Sequence, residues 1–208
     1  MSNPDRLPED LQTMVWDEYV SSLRDRMREI PDHIRALCGE GNMDTVLDWM
    51  AQMLQYPTVK PGRAIVLVGP EGCGKTLFGD LLSLLLGGED VLQTSSIKRD
   101  WNRLGGVLLV RLQECRLNAE LASINVLVTD QMLHIRPFYQ SATTIPSFHR
   151  VLITTNAPLS PHLHEAAGSR RFTVIQCGVV NGQQFHEDMY DAGRMEAFRQ
   201  FLLERKIE

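Results

Sequence analysis

The sequence predicts an α/β fold of three layers, with a mainly parallel central sheet and helices on both faces. Two observations carry this. Short, unbroken apolar runs alternate along the chain with stretches of helical periodicity, the pattern of strands buried on both faces between crossover helices. A glycine-rich octapeptide also sits directly between the first such run and the first such helix.

Taken in order, the apolar residues Trp16, Tyr19, Val20, Leu23, Met27 and Ile30 recur at helical spacing, and Pro31 is expected to stop that helix. A second helix carries Val46, Leu47, Met50, Met53 and Leu54, between the Gly39 to Gly41 turn and Pro57. After a connector over Pro57 to Gly62, Ala64 to Val68 reads as the first buried strand. Further strands are expected at Val107 to Val110, Val151 to Ile153 and Phe172 to Ile175. Helices are expected over Leu77 to Leu86 and through Leu121, Ile124, Leu127 and Val128. A closing helix carries Met195, Phe198, Phe201 and Leu202. The organisation expected is an N-terminal helical segment over 1–57, serving packing or oligomerisation, a core over 58–190 that carries the octapeptide, and a C-terminal helix over 191–208.

At 208 residues, with 43% hydrophobic and 23% charged side chains, the chain suits one generous globular domain. A net charge of −5 excludes a protein that coats nucleic acid with a basic surface, so any DNA contact must be local. No run approaches the roughly 18 apolar residues that a membrane span needs, and the N-terminus has no basic stretch followed by an apolar one. No membrane association and a cytoplasmic location, bacterial or host, are expected. The four cysteines, Cys38, Cys73, Cys115 and Cys177, lack zinc-site or disulfide spacing and read as free thiols. His162 and His164 lack a suitably spaced third ligand.

The octapeptide Gly69-Pro70-Glu71-Gly72-Cys73-Gly74-Lys75-Thr76 fits G-x-x-x-x-G-K-[ST] at every position. Its glycines let backbone N–H groups close around phosphate oxygens, and the helix that follows points its positive end at the anion. Lys75 is expected to reach the β- and γ-phosphates of ATP, and Thr76 to ligate Mg2+. The fold class is therefore a P-loop NTPase. Kinases, GTPases, transporters and motors share this loop, so it leaves the use of the energy open.

Glu114 follows the second apolar strand, where a carboxylate can hold Mg2+ and take a proton from the attacking water. Asn156 ends the next buried strand, placed to sense the γ-phosphate or hold the lytic water, although Asn at a strand end is also a common turn residue. Arg170 and Arg171 stand just before the last strand. Paired surface arginines commonly serve solubility alone; at a subunit edge, either guanidinium could reach into a neighbour's site and stabilise the transferring phosphoryl group.

The order of P-loop, strand with terminal Glu, Thr154-Thr155-Asn156-Ala157-Pro158, then Arg170-Arg171-Phe172 resembles the superfamily 3 helicases. More closely, it resembles the motor domain of phage, plasmid and poxvirus primase-helicases, over roughly Val46 to Ile175. The resemblance implies an AAA+-like P-loop ATPase that works on single-stranded DNA as a homo-oligomeric ring, of the hexameric kind, in replication of a phage, plasmid or other mobile element. A separate primase or replication initiator is an implied partner. It also implies a pore-lining β-hairpin between the acidic strand and the sensor strand, with its tip near Pro137 to Thr143. There Arg136 would meet a phosphate, while Phe138 or Tyr139 would stack on a base, the other reading being aromatics turned into the core.

The sequence departs from the family twice. Gln113-Glu114 stands in place of an acidic pair, and Asn125 where a lysine is frequent. No primase, zinc-binding or winged-helix segment is expected in this chain, which would make it a stand-alone or excised motor. The competing class is a nucleotide-gated assembly module, acting as an initiator, loader or phage-defence switch without unwinding. A small-molecule kinase would need an acceptor-binding lid that the sequence does not show.

Overall fold

A computed structural model describes residues 28–115, 117–156 and 170–207. The expected helix from Trp16 lies largely outside them, as do Ala157, Pro158, His162 and His164. Where the chain is described, helix α1 runs over residues 28–38 and passes through Pro31. The proline therefore does not end the helix. Ile30, Ile34 and Leu37, all fully buried, continue one apolar stripe across it. Burying three such side chains, at roughly 1.5–3 kcal/mol each, outweighs one missing backbone hydrogen bond.

Helix α2 (Glu40–Gln55) follows, then strand β1 (Ala64–Val68) and helix α3 (Lys75–Leu85). An edge strand absent from the sequence reading, β2 (Val91–Thr94), leads into a short helix α4 (Ile97–Asp100) and a 3-10 turn (Trp101–Arg103). Strand β3 (Leu109–Gln113) starts two residues later than expected. Helix α5 (Leu117–Thr129), strands β4 (Met132–Ile135) and β5 (Thr143–Pro146), and strand β6 (Arg150–Thr155) come next. Strand β7 (Phe172–Gln176), helix α6 (Gly182–Tyr190), also unexpected, and helix α7 (Ala192–Glu204) complete the described chain.

The five-stranded sheet has the order β2-β3-β6-β1-β7. Every pairing in it is parallel. Alternate residues of its strands feed two cores. On one face, Ile65, Leu67, Leu109, Leu152 and Ile175 pack with α1, α2, α3, α6 and α7. On the other, Val66, Val68, Val110, Leu112 and Ile153 pack with Ile124, Leu127 and Val128 of α5 and with Leu133 and Ile135 of β4. These are the three layers expected.

Strands β4 and β5 form a separate antiparallel hairpin, with Leu133 opposite Ile145 and Ile135 opposite Thr143. Two cations secure its base. Lys60, half-buried, donates to the carbonyls of Leu127 (2.8 Å) and Asp130 (2.6 Å) at the end of α5, and to Ser147 just after β5. Arg150, fully buried, donates to the carbonyls of Gln52 (3.1 Å) and Tyr56 (2.7 Å) at the end of α2, and to Phe148 (2.8 Å). Cations there meet the carbonyls and negative dipole of a helix C-terminus. Among the described residues, no helix is long and apolar enough to cross a membrane.

Candidate nucleotide and DNA sites

Because β3, β6 and β1 are neighbours in the sheet, their C-terminal tips lie side by side. That end of a parallel sheet is where α/β folds bind ligands. The loop after β1, Glu114 after β3 and Asn156 after β6 meet there around a cavity of about 660 Å³. Glu71, Gly72, Gly74, Lys75, Thr76, Gln93, Ser95, Gln113, Glu114, Thr154 and Asn156 line it.

The loop's glycines are sterically required. A Cβ at Gly74, whose φ is +110°, would come within 2.4 Å of Val180 Cγ2. One at Gly69 would come within 2.9 Å of Cys177 Cβ. The Lys75 amine donates to the carbonyls of Gly69 and Pro70, both at 2.7 Å, and lies 3.6 Å from Cys73 Sγ. Its charge is thus held inside the loop, at the mouth of the cavity, beside Thr76. The loop, its ammonium and the helix N-terminus behind it make a cradle suited to a polyphosphate with its divalent cation.

Glu114 is exposed, and its φ of +49° puts it in the left-handed region. Its N–H donates to the Thr154 carbonyl at 3.1 Å, and Asn156 Nδ2 stands 3.5 Å from its Oε1. The other non-glycine residue with positive φ among those described is Tyr139, at +61°. A left-handed non-glycine residue costs about 1–2 kcal/mol and tends to persist where function requires it. Sequence reasoning offered Glu114 for proton transfer and Tyr139, with Phe138 as the alternative, for base stacking.

Gln113 accepts a hydrogen bond from Gln93 Nε2 at 2.8 Å, so an amide pair occupies the position next to Glu114. Beneath the loop lies Arg111, almost fully buried and absent from the sequence reading. It donates to Asp80 Oδ1 at 2.7 Å and to Ser83 Oγ at 2.9 Å, and stands 3.4 Å from the Thr76 carbonyl. A Cβ at Gly79 would meet its guanidinium at 2.5 Å. It ties the helix that follows the P-loop to the strand that carries Glu114. The one signal for it in the sequence is a single charge inside an apolar run. Gln93 and Ser95 were missed because β2 holds only two consecutive apolar residues.

Arg170 and Arg171 are not at this cavity. They precede β7, at the opposite end of the sheet; the Arg171 carbonyl accepts from Ala64 N at 2.8 Å, at the start of β1. Five residues of strand at about 3.3 Å each separate the two ends by about 16 Å. There the two arginines line a second cavity with Asp48, Trp49 and Arg63. The hairpin tip presents Phe138, 78% exposed, and Tyr139, fully exposed, with Arg136 exposed beside them. The alternative that turned Phe138 into the core is overturned, because Leu133 and Ile135 of β4 already fill that space.

A parallel sheet in this strand order, with a glycine-cradled lysine at the tip of β1, defines a P-loop NTPase fold. The chain belongs to the family of the Virulence-associated protein E-like domain, which matches residues 39–202. That match contains the segment on which the superfamily 3 resemblance rests. No curated protein matches the chain. Among solved structures, the chain is similar to the apo C-terminal region of NrS-1, at 21% identity and a TM-score of 0.71, over 87% of this chain and 45% of that one. A second apo structure of the same region matches at 20% identity and a TM-score of 0.67, over 89% and 46%. The chain thus spans less than half the length of these NrS-1 chains. A JCV helicase structure matches at 13% identity and a TM-score of 0.46, over 94% and 67%, too distant to carry an argument.

Proposed function

We propose that the chain is an ATP-hydrolysing motor of the superfamily 3 helicase type, which translocates single-stranded DNA as a homo-oligomeric, hexameric ring. Its setting is the replication of a phage, plasmid or other mobile element in the bacterial or host cytoplasm, beside a separate primase or initiator. The observation that carries the reading is that one fold presents two sites: the cavity where Lys75, Thr76, Glu114 and Asn156 converge, and a hairpin whose aromatics face solvent.

In this reading the loop Gly69 to Thr76 wraps the phosphates of ATP, with Lys75 neutralising the β,γ charge. Thr76 and Glu114 would hold Mg2+, which when bound would neutralise further phosphate charge. Glu114 takes the proton of the attacking water, and Asn156 fixes the orientation of the carboxylate. Arg170 or Arg171 acts on the neighbouring subunit's nucleotide, a role supported by their distance from their own cavity. Arg136 meets phosphate, while Phe138 and Tyr139 stack on bases.

The amide pair of Gln93 and Gln113 favours a second reading, a nucleotide-gated assembly module without unwinding, because it removes one carboxylate from the metal side of the cavity. Steady-state ATPase with and without single-stranded DNA, alongside sizing with an ATP analogue, separates the two. The motor reading expects ATPase stimulation by DNA, which Tyr139→Ala removes. Base–aromatic stacking worth roughly 1–3 kcal/mol makes that loss easy to detect. Assembly on the analogue without any DNA stimulation would instead establish the module.

A further inference from the structure

We infer that Gln113 is a hydrogen-bond donor to the γ-phosphate rather than a stand-in metal ligand, and that Gln93 is the residue that positions it. Together they set the preference of the cavity for a nucleoside triphosphate over a diphosphate. The inference rests on the proposed ATP site and deepens it by giving that site a specificity-determining side chain.

The two amides come from neighbouring strands, and both line the cavity. Gln93 of β2 stands opposite Arg111 of β3, and Gln113 lies two residues further along β3. Alternation along a strand puts Arg111 and Gln113 on one face of the sheet, the face that carries α3. Arg111, almost fully buried between Asp80 and Ser83 of α3, gives the pair a fixed floor. On its other side Gln113 stands opposite Thr154 of β6, so it sits between the edge strand and the tips that carry Glu114 and Asn156.

The direction of one hydrogen bond decides what Gln113 offers a ligand. Gln93 Nε2 donates to Gln113 Oε1 at 2.8 Å. The oxygen and nitrogen of an amide diverge from one carbon, so an oxygen turned to β2 leaves the two N–H donors for the interior of the cavity. Among the described residues, no hydrogen bond engages those donors. An amide nitrogen has no lone pair for a cation, whereas its hydrogens suit a phosphate oxygen. Left alone, the last torsion of a glutamine side chain is broad, and either end of the amide could face the ligand. Gln93 removes that freedom.

The surroundings favour the same partner. Lys75 and the loop N–H groups approach the phosphates from the β1 side, and Gln113 adds donors from the β3 side. In the proposed site Glu114 and Asn156 attend the γ-phosphate, so a donor beside them meets the phosphate that a diphosphate lacks. Thr76 and Glu114 remain as the protein ligands of the cation.

The test is displacement of a fluorescent ADP analogue from the full chain by ADP and by ATPγS at saturating Mg2+, followed by Mg2+ titration of the ATPγS complex. Gln113→Ala should lower the ATPγS-to-ADP affinity ratio about tenfold, the scale of one hydrogen bond to a charged group, and leave ADP affinity within about twofold. Gln93→Glu replaces the donor with an acceptor, which captures the Gln113 amide nitrogen and turns its oxygen inward. The ratio should fall by a similar factor. In a Gln113→Ala background the same Gln93→Glu change should alter the ratio less than about twofold, because the amide that it reorients is gone. Gln93 is exposed and Gln113 half-buried, so thermal unfolding close to the parent's serves as the folding control. The inference is overturned if Gln113→Ala keeps the parental ratio, or weakens Mg2+ affinity instead. It is also overturned if Gln93→Glu leaves the ratio unchanged, or lowers it equally in both backgrounds, since the added charge would then act directly. A parent that binds neither nucleotide would bring down the ATP-site reading itself.

Discussion

Glu114 combines what a general base needs with what a folded chain avoids. It is a solvent-accessible carboxylate, beside a polar amide, on a backbone in the left-handed region. Such strain persists when the surroundings fix it, here through the bond from its N–H to the Thr154 carbonyl. Glu114→Gln should keep nucleotide affinity within a few-fold, since the phosphate cradle is untouched, and lower the turnover number by about 10²–10⁴. Fluorescent nucleotide titration with single-turnover hydrolysis measures both. Turnover within a factor of two of the parent would move the base elsewhere. Glu114, Asn156 and the loop were legible because each follows an apolar strand, and the end of a buried parallel strand is where polar residues become a site. Arg111 was not. A charge within Leu108 to Leu112 reads locally as a flaw in a strand, and its meaning appears only when α3 supplies Asp80, Ser83 and a glycine to make room.

Sheet strands with three or more apolar residues announced themselves at the scale of elements, whereas β2, at the sheet edge with two, did not. Helix α6 was similarly hidden, since its start depends on Asn181 accepting from Gln184 N rather than on a run of apolar residues. Pro31 misled for the opposite reason: a strong local signal lost to burial on both sides of it. The hairpin is held in place by cations whose role no local pattern reveals. Burial pulls the Lys60 amine down to about 8, outweighing the nearby Asp130. An unfolded lysine titrates near 10.4. Between those values the unfolded chain binds more protons than the folded one, so the contribution of Lys60 to stability rises with pH across that window. Below it, both states carry the charge and the cost of burying it is present in full. Following the Lys60 side-chain 13C signal should therefore give a midpoint near 8, and Lys60→Met should flatten the pH dependence of urea unfolding between about pH 8 and 10. A midpoint above about 10, near the free-lysine value, would mean that the ammonium is not buried at the hairpin base.

On the scale of the whole molecule, the sheet places its cavity at one end of the strands and Arg170 and Arg171 at the other, so a single subunit holds only part of the proposed machinery. Closing that distance takes a second copy of the chain, and a ring supplies one at every interface. The most direct measurement is the ATPase activity of mixed oligomers. Lys75→Ala subunits and subunits carrying Arg170→Ala with Arg171→Ala are each expected to be inactive alone. Mixed, they should recover a fraction of parental turnover, because interfaces that pair an intact loop with an intact arginine edge then exist. Verified mixed oligomers that show no turnover, or Lys75→Ala oligomers that hydrolyse ATP at the parental rate, would contradict the account.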